Sequence, residues 1–202
     1  MSRREVLATV IVALLAFPLI FVFTGAVVDG RARAREAPFR ALLGNERFDE
    51  LMDGQGGVPH YLGASLLAPD FTLPTQDGRE WKMSDQRGKV VVMNFWTVTC
   101  RPCIQEMPTI ELLAEITESW GDVEVVAVST DRSWAQAETI IPRTSRITSL
   151  LDSERRVVTG QFGTKLFPET WIIDANGVVR FRFDGALDWS DPLALDLIRA
   201  YR

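Results

Sequence analysis

The chain of 202 residues is short of the groups that hold metals and cross-links, with two cysteines and one histidine. A zinc site takes four ligands drawn mostly from those residue types. Cys100, Cys103 and His60 cannot supply them, so no metal and no other cofactor is expected. A purely structural disulfide is disfavoured as well, because the single available bridge would close a very short loop and gain little chain entropy. Basic charge is also scarce. Beyond residues 1–28, which hold Arg3, Arg4 and Glu5, the chain keeps 20 of its 22 basic and 26 of its 27 acidic residues, a net of −6. With no basic patch and no interleaving of basic and aromatic residues, nucleic acid is excluded as a partner. Internal repeats and low-complexity tracts are absent.

Between Val6 and Val28 there is no charge at all, and Val, Leu, Ile, Ala and Phe dominate. At about 1.5 Å per residue a helix of this length crosses a hydrocarbon core of about 30 Å. Pro18 interrupts it, which a membrane helix tolerates better than a soluble one. The apolar part is too long for an ordinary cleaved leader, and Gly25-Ala26 is a poor cleavage site. The expected organisation is a tail at 1–5, a transmembrane anchor at 6–28, a juxtamembrane tether at 29–65 and one domain at 66–202. Arg3 and Arg4 precede the span and Arg31, Arg33, Arg35 and Arg40 follow it, so charge alone would keep the domain in the cytoplasm.

The two cysteines stand as Cys100-Arg101-Pro102-Cys103, after the apolar run Val90–Trp96. That run reads as a buried strand. Behind the pair, Ile104, Met107, Ile110, Leu112, Leu113 and Ile116 share a broad apolar face at helical spacing. The cysteines therefore fall at a strand-to-helix turn with Cys100 near the helix N-terminus, where free backbone N–H groups and the helix dipole favour a thiolate. Pro102 suits the first turn, where its missing N–H costs nothing. Arg101 adds positive charge that favours the thiolate further. The pair reads as a reversible dithiol/disulfide.

Elsewhere the pattern alternates. Phe71–Leu73 and Glu80–Met83 flank Gln76-Asp77-Gly78 as a hairpin. Cys103–Trp120 is expected to be helical, Val123–Thr130 a buried strand, Ser133–Ile141 a helix, Ile147–Leu150 a strand and Ser153–Phe162 a short helix. Thr170–Ile173 and Val178–Phe183 flank the turn Asp174–Gly177, and Asp191–Tyr201 closes the chain as a helix. The expected class is α/β, a mixed sheet with helices on both faces. Trp81, Trp120, Trp134, Trp171 and Trp189 are expected in core or rim packing, and His60 in the tether.

Asp70-Phe71-Thr72-Leu73, Asn94-Phe95-Trp96, the cysteine pair, Phe167-Pro168-Glu169-Thr170 and Ile173–Gly177 occur in the order and spacing of a thioredoxin fold. Over about residues 63–190 the chain resembles the membrane-anchored TlpA/ResA/DsbE group of thiol–disulfide oxidoreductases. The resemblance implies an added N-terminal hairpin, Cys100 as nucleophile, Cys103 as the buried resolving cysteine and a cis Pro168 beside the disulfide. It places Glu106 where the group carries an acidic residue near the active site, and it suggests substrate contacts for Phe167 and Glu169; a solvated place on the helix face for Glu106 and a plain surface role for Glu169 stand equally open. Asn94 stands where thioredoxin has a buried aspartate, which leaves Glu106 as the better proton carrier. Thr99 replaces the tryptophan common before the first cysteine. The implied activity is reduction of protein disulfides outside the cytoplasm, with apocytochrome c as a substrate, a membrane thiol–disulfide electron donor, and a place in the inner (cytoplasmic) membrane with the domain in the periplasm or extracytoplasmic space. A cytosolic reductase needs no anchor, so export is expected despite the arginines.

Two other readings remain open at this level. Ala68-Pro69-Asp70-Phe71 also opens peroxiredoxins, and Thr97-Val98-Thr99-Cys100 reproduces part of their peroxidatic motif, although Met93 stands where its proline belongs. A membrane-tethered binding module with an inert disulfide is the third.

Overall fold

The computed structural model describes residues 66–202 together with Arg40, Asn45, Pro59 and His60, within a unit spanning Arg40–Arg202. The expected Val6–Val28 anchor and most of the tether lie outside the described residues. Among the described residues no helix is long and apolar enough to cross a membrane.

A seven-residue strand organises the fold. Strand β4 (Val90–Trp96) is buried along its whole length, as a strand covered on both faces must be. It pairs in parallel with β5 (Val123–Ser129), which pairs in parallel with β6 (Thr148–Leu151). On its other side β4 pairs antiparallel with β7 (Glu169–Ile173), and β7 with β8 (Val179–Asp184). A two-residue strand β1 (Pro59–His60) adds antiparallel to β8, His60 opposite Arg182. The expectation of His60 as a tether residue is corrected here, because this part of the supposed tether completes the sheet edge. The order is β1-β8-β7-β4-β5-β6.

Successive side chains of a strand point to opposite faces, and each face has its own cover. Val91, Met93 and Phe95 of β4 share a core with Phe71, Trp81, Met83, Phe162 and Trp171. Much of that cover comes from the separate hairpin β2 (Thr72–Pro74) and β3 (Glu80–Lys82), in which Leu73 opposes Trp81. Gly78, at φ +87°, makes its tight turn. Helix α1 (Arg101–Glu118) covers the other face, burying Cys103, Met107, Ile110, Leu113 and Ala114. Pro108 inside α1 has no N–H, so the Ile104 carbonyl loses its usual helical donor.

The segments between β5 and β7 depart from expectation. Helix α2 covers only Trp134–Ala137, with further turns leading to Pro142. Ser153–Phe162 forms turns rather than the expected helix. The Asp152 carboxylate draws in the N–H groups of Arg156, Val157 and Val158, and Arg155 takes a φ of +57°. Donors captured by a side chain are not free for a helical ladder. Helix α3 (Pro192–Arg199), capped by the Asp191 carboxylate on the Leu193 N–H, closes the chain. Trp81, Trp171 and Trp189 are buried as expected, while Trp120 lies under the guanidinium groups of Arg199 and Arg202.

Candidate active site

Strand β4 delivers the chain to a loop, Thr97–Thr99, and then to Cys100, the N-cap of α1. Cys100 and Cys103 are joined as a disulfide. Cys100 is half-buried and Cys103 fully buried, the asymmetry that an attacking and a resolving sulfur need. The Cys103 N–H donates to Cys100 Sγ at 3.2 Å. An N–H of the first helical turn aimed at this sulfur stabilises it as a thiolate once the bond opens. Arg101 and Pro102 are exposed beside it.

The register fixes what lies opposite. Phe95 pairs with Glu169 across β4 and β7, so the Phe167-Pro168 step that precedes β7 sits at the end of the sheet where β4 leaves for the cysteines. The Phe167-Pro168 bond is cis, as the resemblance implied. Phe167 is half-buried and packs against the core, while Leu166 before it is 83 % exposed.

Glu106, one turn beyond Cys103 on α1, is 3 % exposed. One oxygen accepts from the Asn94 amide at 2.8 Å and the other from the Leu187 N–H at 3.1 Å. Burial drives its pKa up to about 7 against the pull of those bonds, because removing a carboxylate from water disfavours the charged form. Trp189 lies close enough to lower it slightly, although its buried indole N–H makes no hydrogen bond of sound geometry. The Asn94 amide also donates to Thr170 Oγ1 at 2.9 Å, and its own Oδ1 is buried without a partner. A buried carboxyl with its pKa raised to about 7 thus stands one helical turn from Cys103, in the position expected of a proton carrier.

Glu169 is placed differently from either expectation. It points to the opposite face of the sheet from Glu106, as strand alternation requires of a neighbour of Thr170. It is 2 % exposed, so it is neither a surface carboxylate nor open to a docking partner. Its oxygens accept from the Thr164 hydroxyl and from Trp171 Nε1 at 2.6 Å, and pair with Arg182 at 3.2 Å. Burial raises its pKa against these partners. Its geometry ties the loop before Pro168 to β7 and β8.

One participant escaped the sequence reading. Asp131, just past the end of β5, is buried and accepts from Thr97 Oγ1 at 2.6 Å, from the Val98 N–H at 3.1 Å and from Ser129 Oγ at 2.7 Å. The Thr97 carbonyl in turn accepts from the Cys100 N–H at 3.0 Å. Asp131 thereby holds the loop that presents Cys100. The available signal was its place at the carboxyl end of a parallel strand, where α/β sheets assemble their sites. The same bonds weigh against a peroxidatic site, since the Thr97 hydroxyl donates its proton to Asp131.

Comparison with known proteins agrees with this geometry. A family model described as the AhpC/TSA family matches residues 65–182. The thiol-disulfide oxidoreductase ResA of Geobacillus thermodenitrificans is 34 % identical over 124 residues, covering 61 % of this chain and 71 % of that protein. The thioredoxin-like protein YneN of Bacillus subtilis is 32 % identical over 114 residues, 56 % of this chain and 66 % of that one. Among solved structures, one from Chlorobium tepidum designated a thiol:disulfide interchange protein DsbE overlays with a TM-score of 0.61 at 28 % identity, covering 70 % of this chain and 99 % of its own. The chain belongs to the AhpC/TSA family and is a thiol–disulfide oxidoreductase of the thioredoxin fold, with a Cys-x-x-Cys pair at Cys100 and Cys103.

Proposed function

We propose that this oxidoreductase is a membrane-tethered reductant of disulfides in extracytoplasmic proteins, apocytochrome c among them, and that a membrane thiol–disulfide donor restores its dithiol. The observation that carries the reductive reading is the buried Glu106 carboxyl, with its pKa near 7, one turn from the buried Cys103. The tether rests on the uncharged run Val6–Val28, and the substrate on the likeness to the ResA and DsbE proteins.

The steps use residues in place. The Cys100 thiolate, favoured by the Cys103 N–H, attacks one sulfur of the partner disulfide and expels the other as a thiolate, giving a mixed disulfide. Glu106 takes the Cys103 proton. The Cys103 thiolate then attacks Cys100 Sγ, releasing the partner's second thiolate and leaving the Cys100–Cys103 disulfide. Two electrons pass from the pair to the partner, whose thiolates collect two protons.

Two measurements test the proposal. Alkaline phosphatase fused after Arg202 is expected to be active; an inactive fusion beside an active cytoplasmic reporter refutes the topology. Cys103→Ser is expected to accumulate a mixed disulfide with an extracytoplasmic protein, because nothing remains to displace the partner, whereas Cys100→Ser traps little. Equal trapping by the two variants refutes the division of roles, and only cytoplasmic proteins in the trapped complexes refutes the substrate class.

A further inference from the structure

The disulfide is reached through Cys100, and beside it α1 forms one wall of an open groove of about 480 Å³. The helix contributes Ile104, Met107 and Pro108, and the segment between α2 and β6 contributes Ile140, Ile141 and Pro142. Positions 104, 107, 108 and 111 follow Cys100 at the spacing of one helical face, so the groove begins one turn from the nucleophile and runs along the same side of α1. Ile104 and Ile140 are half-buried, and Pro108 and Pro142 are exposed, which makes an apolar lining with its mouth open to solvent. Glu111 closes the far end, its carboxylate accepting from the Ser145 hydroxyl and the Arg146 backbone N–H. Two other concavities among the described residues are lined mainly by charged and polar side chains and have no residue within a turn of either cysteine.

We propose that this groove seats an apolar side chain of the polypeptide whose disulfide is being reduced. The occupant follows from continuity. A protein joined to Cys100 in the mixed disulfide must run away from that sulfur across the adjoining surface, and this groove is the apolar part of that surface along α1. Ile104 and Pro108 lie about 6 and 12 Å from Cys100 along the helix axis. An extended peptide advances about 3.3 Å per residue, so the seated side chain stands two to four residues from the attacked cysteine. The enzyme thereby selects disulfides flanked by an apolar residue. This inference rests on the exchange activity alone, and neither the tether nor any named substrate enters it.

The test uses the full chain and two disulfide-containing peptides that differ only in carrying Leu or Ser three residues from the attacked cysteine. Glutathione disulfide, which has no apolar side chain to seat, serves as the control substrate. The wild-type kcat/KM is expected to favour the Leu peptide by about tenfold, the scale on which an apolar pocket discriminates. Ile140→Asp is expected to abolish that preference while leaving the rate on glutathione disulfide unchanged, and Pro142→Asp serves as the second variant should Ile140→Asp fail to fold. Equal wild-type rates on the two peptides overturn the proposal, as does a preference that survives in the folded variant. A concentration-dependent dimer dissolved by Ile140→Asp also overturns it, by giving the groove to a second copy of the chain.

Discussion

Replacing Glu106 by glutamine removes the charge of a buried carboxyl and leaves its shape nearly intact. Burial lifts this pKa from an ordinary 4.5 to about 7, so the folded protein holds the proton more tightly than the unfolded chain does. Stability therefore falls as pH rises: the contribution of Glu106 is complete below about 4.5 and is lost as pH rises through about 7. At about 1.4 kcal/mol for each pH unit separating the two states, the loss comes to roughly 3 kcal/mol, most of it above pH 5. Glutamine has no proton to lose, and the site can hold it. Its oxygen can accept the Leu187 N–H, and its amide can donate to Asn94 Oδ1 once the Asn94 amide turns over. That oxygen has no partner in its present orientation, and after turning it would also accept from the Thr170 hydroxyl. Urea denaturation of the oxidised protein at pH 5 and pH 9 should show the wild type losing about 2–3 kcal/mol more than Glu106→Gln, on the order of 1 M in midpoint. The variant should also reduce partner disulfides more slowly and without an inflection near pH 7. Parallel stability curves for the two proteins would refute the reasoning, because Glu106 would then ionise at its ordinary value. A constant offset at both pH values would mean that its hydrogen bonds matter and its burial does not.

Asp131→Ala strands the Thr97 and Ser129 hydroxyls and the Val98 N–H, and should cost about 2–4 kcal/mol in urea denaturation; alkylation of Cys100 in the reduced variant should be slower than in the wild type. Arg182→Ala removes the cation paired with buried Glu169 and raises that carboxyl further. Since a raised carboxyl stabilises the fold only while it stays protonated, the loss should be about 1–2 kcal/mol at pH 8 and smaller at pH 5, read by the same denaturation. Asp152→Ala leaves three N–H groups of the turn after β6 without their acceptor and should cost about 2–3 kcal/mol, measurable by thermal unfolding.

Strands β4, β5 and β7 were legible in the sequence as short apolar runs bounded by turn residues, and β8 because Val179, Phe181 and Phe183 alternate with charged residues at the period of a strand. Val90–Trp96 needed no adjustment, and β5, β7 and β8 moved by a single residue at one or both ends. Cys100 and Cys103 were legible for a local reason, since a helix N-terminus activates the sulfur at its first turn wherever the rest of the chain goes. The segment Ser153–Phe162 was misread because a helical pattern does not reveal a competitor for its N–H groups, and Asp152 is that competitor.

What tertiary structure alone decided is which charges are buried and against what. Glu106 and Glu169 read alike in the sequence, as single acidic residues close to functional motifs. The helix buries one on the cysteine side of the sheet with Asn94 and Leu187, and strand alternation turns the other to the far face with Thr164, Trp171 and Arg182. Asp131 holds Thr97 and Val98 from 33 or more residues along the chain, a distance that no local pattern spans. Apolar periodicity is a local property and survives in the sequence, whereas the pKa of a carboxyl depends on desolvation and on partners that only the folded chain brings together.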